Sequence, residues 1–254
     1  MTTMSGACRD SACETMLKVN RLIEQYPGLL EPVRVADRLA EKFVAANDLV
    51  LYPTVRTTTL LYDRHADLFL KILHPVNLKS RVLFMARNRA QQIWQLSEEL
   101  NAEGIAVPGV LAYGRIRRGK RPVFVMKKIR GMSLYDILIR EKKTIPFDLR
   151  HAVIDRIAAL HKAGFWLGDS HLSHIFVDDS TVTGFIDIDS IRRNRRRGIR
   201  NFAKDFAGLN YPGLPMTDYE KGWLISYYLK VMGIKDRKEF LEAVKHYSER
   251  RWKA

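Results

Sequence analysis

Aspartates and histidines crowd one stretch of this chain, "GDSHLSHIFVDDSTVTGFIDID", residues 168–189. Asp169 follows a segment, "LHKAGFWLG", that reads as a helix end, and it precedes a short apolar run. His174 lies five residues further on, and Asp187 closes the apolar run "GFI". Phosphoryl transfer from a nucleotide asks for such groups in this order. A carboxylate orients or deprotonates the attacking hydroxyl, and two ligands then hold the divalent cation that bridges the phosphates. Nitrogen at His174 is a poor match for Mg²⁺, so this residue suits Mn²⁺ or a hydrogen bond to phosphate. The remaining requirement, a cation for the phosphates of ATP, is met by Lys71 in "DLFLKIL". A lysine inside an otherwise apolar strand is costly without an anionic partner.

Elements must position these groups. "ETMLKVNRLIEQY" and "PVRVADRLAEKFVAAN" carry apolar residues at helical spacing, which predicts a helical extension over residues 1–48. From residue 49 the texture turns to β-branched and aromatic runs broken by turn residues, as antiparallel strands require. "RVLFMARNRAQQIWQLSEELNAEG" reads as one helix ending at Gly104, and "VLAYGRIRRGKRPVFVMKKIRG" as two strands joined by a basic turn. Residues 131–254 are mostly helical, with one embedded hairpin, "HIFV" and "GFIDI" across a "DDST" turn. The expected class is α+β: a small antiparallel-sheet lobe over residues 49–130, a larger helical lobe over 131–254, and a ligand cleft between them. Asp189 is expected on the same strand face as Asp187.

The pattern "LHKAGFWLGDSHLSHIFV…GFIDIDSIR" resembles the catalytic core of the protein-kinase-like superfamily, and most of all the lipopolysaccharide core heptose and Kdo kinases. The resemblance covers roughly residues 50–235 and implies a two-lobed kinase fold. It implies that Asp169 is the catalytic carboxylate, that His174 and Asp187 sit at the metal, and that Lys71 is the strand lysine of the small lobe. "VFVMKKIRGMSL" is similar to the hinge, where backbone near Met126 and Lys128 would meet adenine, and Asp205 of "KDFAGL" would brace the catalytic loop. The arginine run after Ile191, with Arg192, Arg193, Arg195 and Arg196, falls where kinases bind their acceptor. Arginine grips phosphate and carboxylate in bidentate fashion, and lipopolysaccharide inner core carries both. The implied substrates are ATP and that core, the implied cofactor Mg²⁺ or Mn²⁺, and the implied place the cytoplasmic face of the inner membrane. The chain departs from ordinary kinases in three ways. "YPTVRTTTLLYDR" has no glycine, leaving the phosphates to be covered by backbone or hydroxyls at Thr57–Thr59. Leu167 replaces the usual histidine before the catalytic loop, and glutamines 91 and 92 stand where a glutamate would pair with Lys71.

Composition bounds these readings. The chain has 254 residues and a formal charge of +15, which favours polyanionic partners, an anionic membrane surface among them. No nucleic-acid partner is expected. Cys8 and Cys13 are the only cysteines, too few for a disulfide framework or a four-cysteine zinc site. His171 and His174 have zinc-like spacing, yet no third and fourth soft ligands accompany them. The start shows no secretory pattern, and no apolar run is long enough to span a bilayer. Two further readings stand beside the leading one: a protein or small-molecule kinase of the same fold, and a basic pseudokinase or scaffold.

Overall fold

A computed structural model gives the fold and describes residues 6–30, 38–52, 57–86, 88–116, 121–194 and 198–252. The chain divides into two units, residues 1–99 with 108–128, and residues 100–107 with 129–254.

The first unit begins with helices α1 (Gly6–Gln25) and α2 (Arg38–Ala46). Strands β1 (Leu49–Leu51), β2 (Thr58–Asp63), β3 (Leu68–Leu73), β4 (Val110–Ile116) and β5 (Arg121–Lys127) form an antiparallel sheet in the order β1-β2-β3-β5-β4. Alternation along β3 sends Leu68, Leu70 and Ile72 into one core with Val19 and Leu22 of α1 and Val44 of α2. The N-terminal helices expected as an extension thus share the core of the sheet. A buried polar contact reinforces this, since Thr15 donates to Asp63 at 2.8 Å and Lys18 Nζ lies 3.5 Å from the same carboxylate oxygen.

At the far end of β3, His74 is buried and its two ring nitrogens are both used. Arg121 lies 2.5 Å from Nδ1 and Thr59 Oγ1 lies 2.7 Å from Nε2. Guanidinium can only donate, so Nδ1 accepts and Nε2–H donates to the threonine. Burial, and then the charge of Arg121, push the His74 pKa down to about 4. Beyond it the single helix expected from the sequence is two, α3 (Leu78–Ala86) and α4 (Arg89–Ala102). Asn77 and Ser80 cap the first reciprocally, and the Asn88 side chain accepts from the Gln91 amide to start the second. Gly104, at φ +74°, turns the chain after α4.

The second unit contains strand β6 (Met132–Ser133), helix α5 (Phe147–Lys162), strand β7 (Phe165–Trp166), the hairpin β8 (Ile175–Asp178) and β9 (Thr181–Phe185), strand β10 (Arg192–Arg193), and helices α6 (Ile199–Leu209), α7 (Asp218–Met232) and α8 (Arg237–Trp252). β6 extends the hairpin, while β7 and β10 pair separately. The stretch after α4 joins this unit through Phe185 N, which donates to Ala106 O at 2.9 Å. Gly184 is needed there, because a Cβ would stand 2.7 Å from the Ala106 oxygen. Helix α7 starts with a capping box, in which Thr217 accepts from the Glu220 amide and the Glu220 carboxylate accepts from the Thr217 amide. No helix among the described residues is long and apolar enough to cross a membrane.

Candidate active site

The loop between β7 and β8 is built on a buried anchor. His161, at the end of α5, is buried with its Nε2 3.1 Å from Asp205 Oδ2 and its Nδ1 2.6 Å from the Tyr228 hydroxyl. Burial depresses the His161 pKa against the pull of Asp205, so the ring is neutral. Tyr228 then donates to Nδ1, and Nε2–H donates to the carboxylate. The same Asp205 oxygen accepts the Leu167 amide at 2.7 Å. Burial raises the Asp205 pKa, opposed by the hydrogen bonds from His161 and from the Leu167 and Gly168 amides. Ser170 Oγ donates to Asp205 O at 2.8 Å. The loop's two sides are therefore tied to α6, as expected of Asp205. A histidine at a helix end carries no local signal for a partner 44 residues away.

Gly168 explains how the loop meets the turn that carries Asp187. Its φ is +80°, and a Cβ would lie 2.0 Å from the Ser190 carbonyl oxygen. Only glycine permits that approach. Asp187 itself is not on a strand: β9 ends at Phe185, and Asp187 adopts the left-handed conformation at φ 65° before a short helical turn, Ile188–Ser190. The expected shared strand face of Asp187 and Asp189 is corrected accordingly, since residues 188–190 coil rather than alternate. The Ser190 hydroxyl donates to Asp187 Oδ2. A non-glycine residue held in this region is strained, and such strain gathers at functional sites.

His174 sits within this cluster. Its Nδ1 is 2.9 Å from the Asp169 carbonyl oxygen, and its own carbonyl accepts the Ile186 amide at 2.9 Å. A carbonyl only accepts, so Nδ1 carries a proton, and in the neutral tautomer this bond selects the lone pair is at Nε2. That tautomer suits a metal ligand better than a donor to phosphate. Among the described residues no three or more of His, Cys, Asp and Glu converge on a metal site. His174 Nε2 and the Asp187 carboxylate are donors of the kind a divalent cation takes, Mn²⁺ accepting nitrogen more readily than Mg²⁺. His171 caps the turn after Asp169, its Nδ1 accepting from the Ser173 amide at 3.1 Å.

The Asp169 side chain is exposed, and Arg251 Nη2 of α8 lies 2.7 Å from its Oδ1. The sequence reading missed Arg251, because nothing local in "SERRW" marks a partner 82 residues upstream. Trp252 fixes the end of α8 by donating from Nε1 to Ala207 O at 2.9 Å.

Arg192 and Arg193 form β10, opposite Trp166 and Phe165 of β7. Both are exposed. Arg192 turns back onto the carbonyls of Asp189 and Ile191, and the Arg193 guanidinium lies 5.1 Å from the centre of the Phe165 ring. Arg195 and Arg196 lie outside the described residues, as does most of the basic turn between β4 and β5.

The other expected residues lie in the first unit. Lys71, 8% exposed, stands opposite Leu60 and Phe124 on the β3 face away from the helix-packed core. Met126 is on β5 across from Phe69. Lys128 is the last residue before the chain passes into the second unit, and its Nζ lies 3.6 Å from Asp67 Oδ1. Thr59 is buried, with its hydroxyl on His74 and on Leu29 O, so it is no phosphate cover, while Thr57 is exposed.

This α+β fold, with an antiparallel-sheet unit and a helical unit holding a loop-hairpin carboxylate cluster, is of the protein-kinase-like class. A co-crystal structure of WbdD with the kinase inhibitor LY294002 matches at a TM-score of 0.51 and 20% identity, covering 77% of this chain and 44% of that one. A structure of the bifunctional kinase-methyltransferase WbdD matches at a TM-score of 0.48 and 19% identity, covering 77% and 43%. This chain therefore spans under half the length of those proteins. A search of curated proteins found no match. The profile of the Lipopolysaccharide kinase (Kdo/WaaP) family matches residues 54–228, and the chain belongs to that family.

Proposed function

We propose that the chain transfers the γ-phosphoryl group of ATP to a sugar hydroxyl, of heptose or Kdo, in the lipopolysaccharide inner core, working at the cytoplasmic face of the inner membrane. The observation that carries this reading is the Gly168–Ser190 contact, which sets the Asp169 loop directly against the Asp187 turn in a member of this family. Asp169 orients the acceptor hydroxyl and takes its proton as the oxygen attacks phosphorus. Arg251 holds that carboxylate in one orientation. The divalent cation, when bound, neutralises charge on the phosphates, and His174 and Asp187 are the residues that would hold it. Lys71 binds nucleotide phosphate, and the backbone near Met126 and Lys128 receives adenine. Arg192 and Arg193, with Arg195 and Arg196, hold the anionic acceptor.

Asp169→Asn tests the reading. With ATP and purified lipopolysaccharide core, transfer should fall about 10²–10⁴-fold, as loss of a general base does. Stabilisation by nucleotide in a thermal melt should persist. Transfer at the native rate would remove Asp169 from the chemistry.

A further inference from the structure

Helix α3 carries exposed apolar side chains. Leu78 is 76% exposed, Val82 56% and Leu83 42%, and Val76, just before the helix, is 42% exposed. Leu78 and Val82 are four residues apart and share one stripe of the helix. At ~100° per residue, Lys79 and Arg81 flank that stripe at ~80° to either side. Both are exposed. No Asp or Glu lies anywhere between Asp67 and Glu98. An apolar stripe bordered by basic side chains on both edges matches a bilayer surface, with hydrocarbon below and anionic headgroups beside it. The long basic stems can lie along the interface while their charges reach phosphate.

We propose that α3 is the segment by which this protein docks on an anionic lipid bilayer, Leu78 and Val82 entering the acyl boundary and Lys79 and Arg81 binding headgroup phosphate. This deepens the membrane-face reading above and rests on it, since an acceptor anchored in a bilayer must be met at that surface. The absence of carboxylates across the whole segment removes the repulsion that anionic lipid would otherwise meet.

The test is sedimentation of the full chain with vesicles of phosphatidylcholine alone and of phosphatidylcholine mixed equally with phosphatidylglycerol. The native chain should bind the anionic vesicles and not the neutral ones. The double variant Leu78→Asp with Val82→Asp should lose about a hundredfold in affinity. Lys79→Glu with Arg81→Glu should lose about twenty-fivefold or more, roughly fivefold for each charge removed and further for each reversed. Tyr219→Ser, an equally exposed aromatic of the second unit, should bind as the native chain does. All five positions are at the surface, and unchanged melting temperatures will show that the variants fold. Native-like binding by both α3 variants would overturn the proposal while leaving membrane association to the arginines after Ile191. Failure of the native chain to bind any vesicle would overturn both the proposal and the membrane-face reading. Nucleotide-dependent stabilisation, measured on the same samples, reports on the kinase reading independently.

Discussion

At the residue scale the site turns on which atoms already have partners. His174 spends Nδ1 on the Asp169 carbonyl, so Nε2 is the ring atom that the proposed cation would meet. Asp169 meets the Arg251 guanidinium at 2.7 Å, and an exposed pair like this contributes direction more than stability. Replacing Arg251 by Ala should therefore leave the melting temperature nearly unchanged but release the carboxylate. Turnover is expected to fall about a hundredfold, the usual result of misplacing a reacting group by an ångström. The KM for ATP should be unaffected, and Arg251→Lys should recover part of the loss. A change in KM alone, with turnover intact, would mean that Arg251 binds substrate and does not position Asp169. Asp169 and Asp187 were legible in the sequence because their spacing around an apolar hairpin is local. Arg251, His161 and the threonine that proved to be buried were not, because each is defined by a partner far along the chain.

At the element scale, short segments set the geometry. The loop after β7 reaches the Asp187 turn only because Gly168 has no side chain to strike the Ser190 carbonyl. Gly168→Ala should cost about 1–3 kcal/mol for the left-handed backbone alone, with more from the clash. Activity should fall further than stability, since relief of the clash separates the Asp169 and Asp187 segments. Melting curves and transfer rates on the same protein will distinguish the two, and wild-type activity in a stably folded variant would show that the approach is not needed. The antiparallel strands of the small sheet and the presence of a hairpin followed from apolar runs and turn residues, but the strand order did not, and the second hairpin strand lies at Thr181–Phe185 rather than on the apolar run "GFIDI". The break between α3 and α4 did not, because Asn88 acts through a cap geometry that periodicity cannot register.

At the scale of the whole molecule, two cores each bury a histidine in its neutral form, His74 in the first and His161 in the second. A histidine whose folded pKa lies below its unfolded value stabilises the fold above the unfolded value and loses that contribution as pH falls. For His74 the window runs from 6.5 down to about 4. Melting temperature should drop progressively across it, and His74→Asn should flatten the first unit's share of the slope; an unchanged slope would place the sensitivity elsewhere. The amino-acid sequence by itself determined the element types, the kinase-like order of carboxylates and lysine, and the strongly basic character, since these depend on residue type and on spacing along a few turns. Only the tertiary structure decided that the N-terminal helices share the sheet's core, that Asp187 sits in a strained turn, and that Arg251 of the last helix reaches Asp169. The first and the last are contacts between segments distant in sequence, whose free energy comes from burial and from pairing that no local pattern encodes, while the turn at Asp187 rests on a left-handed backbone that residue type alone does not dictate.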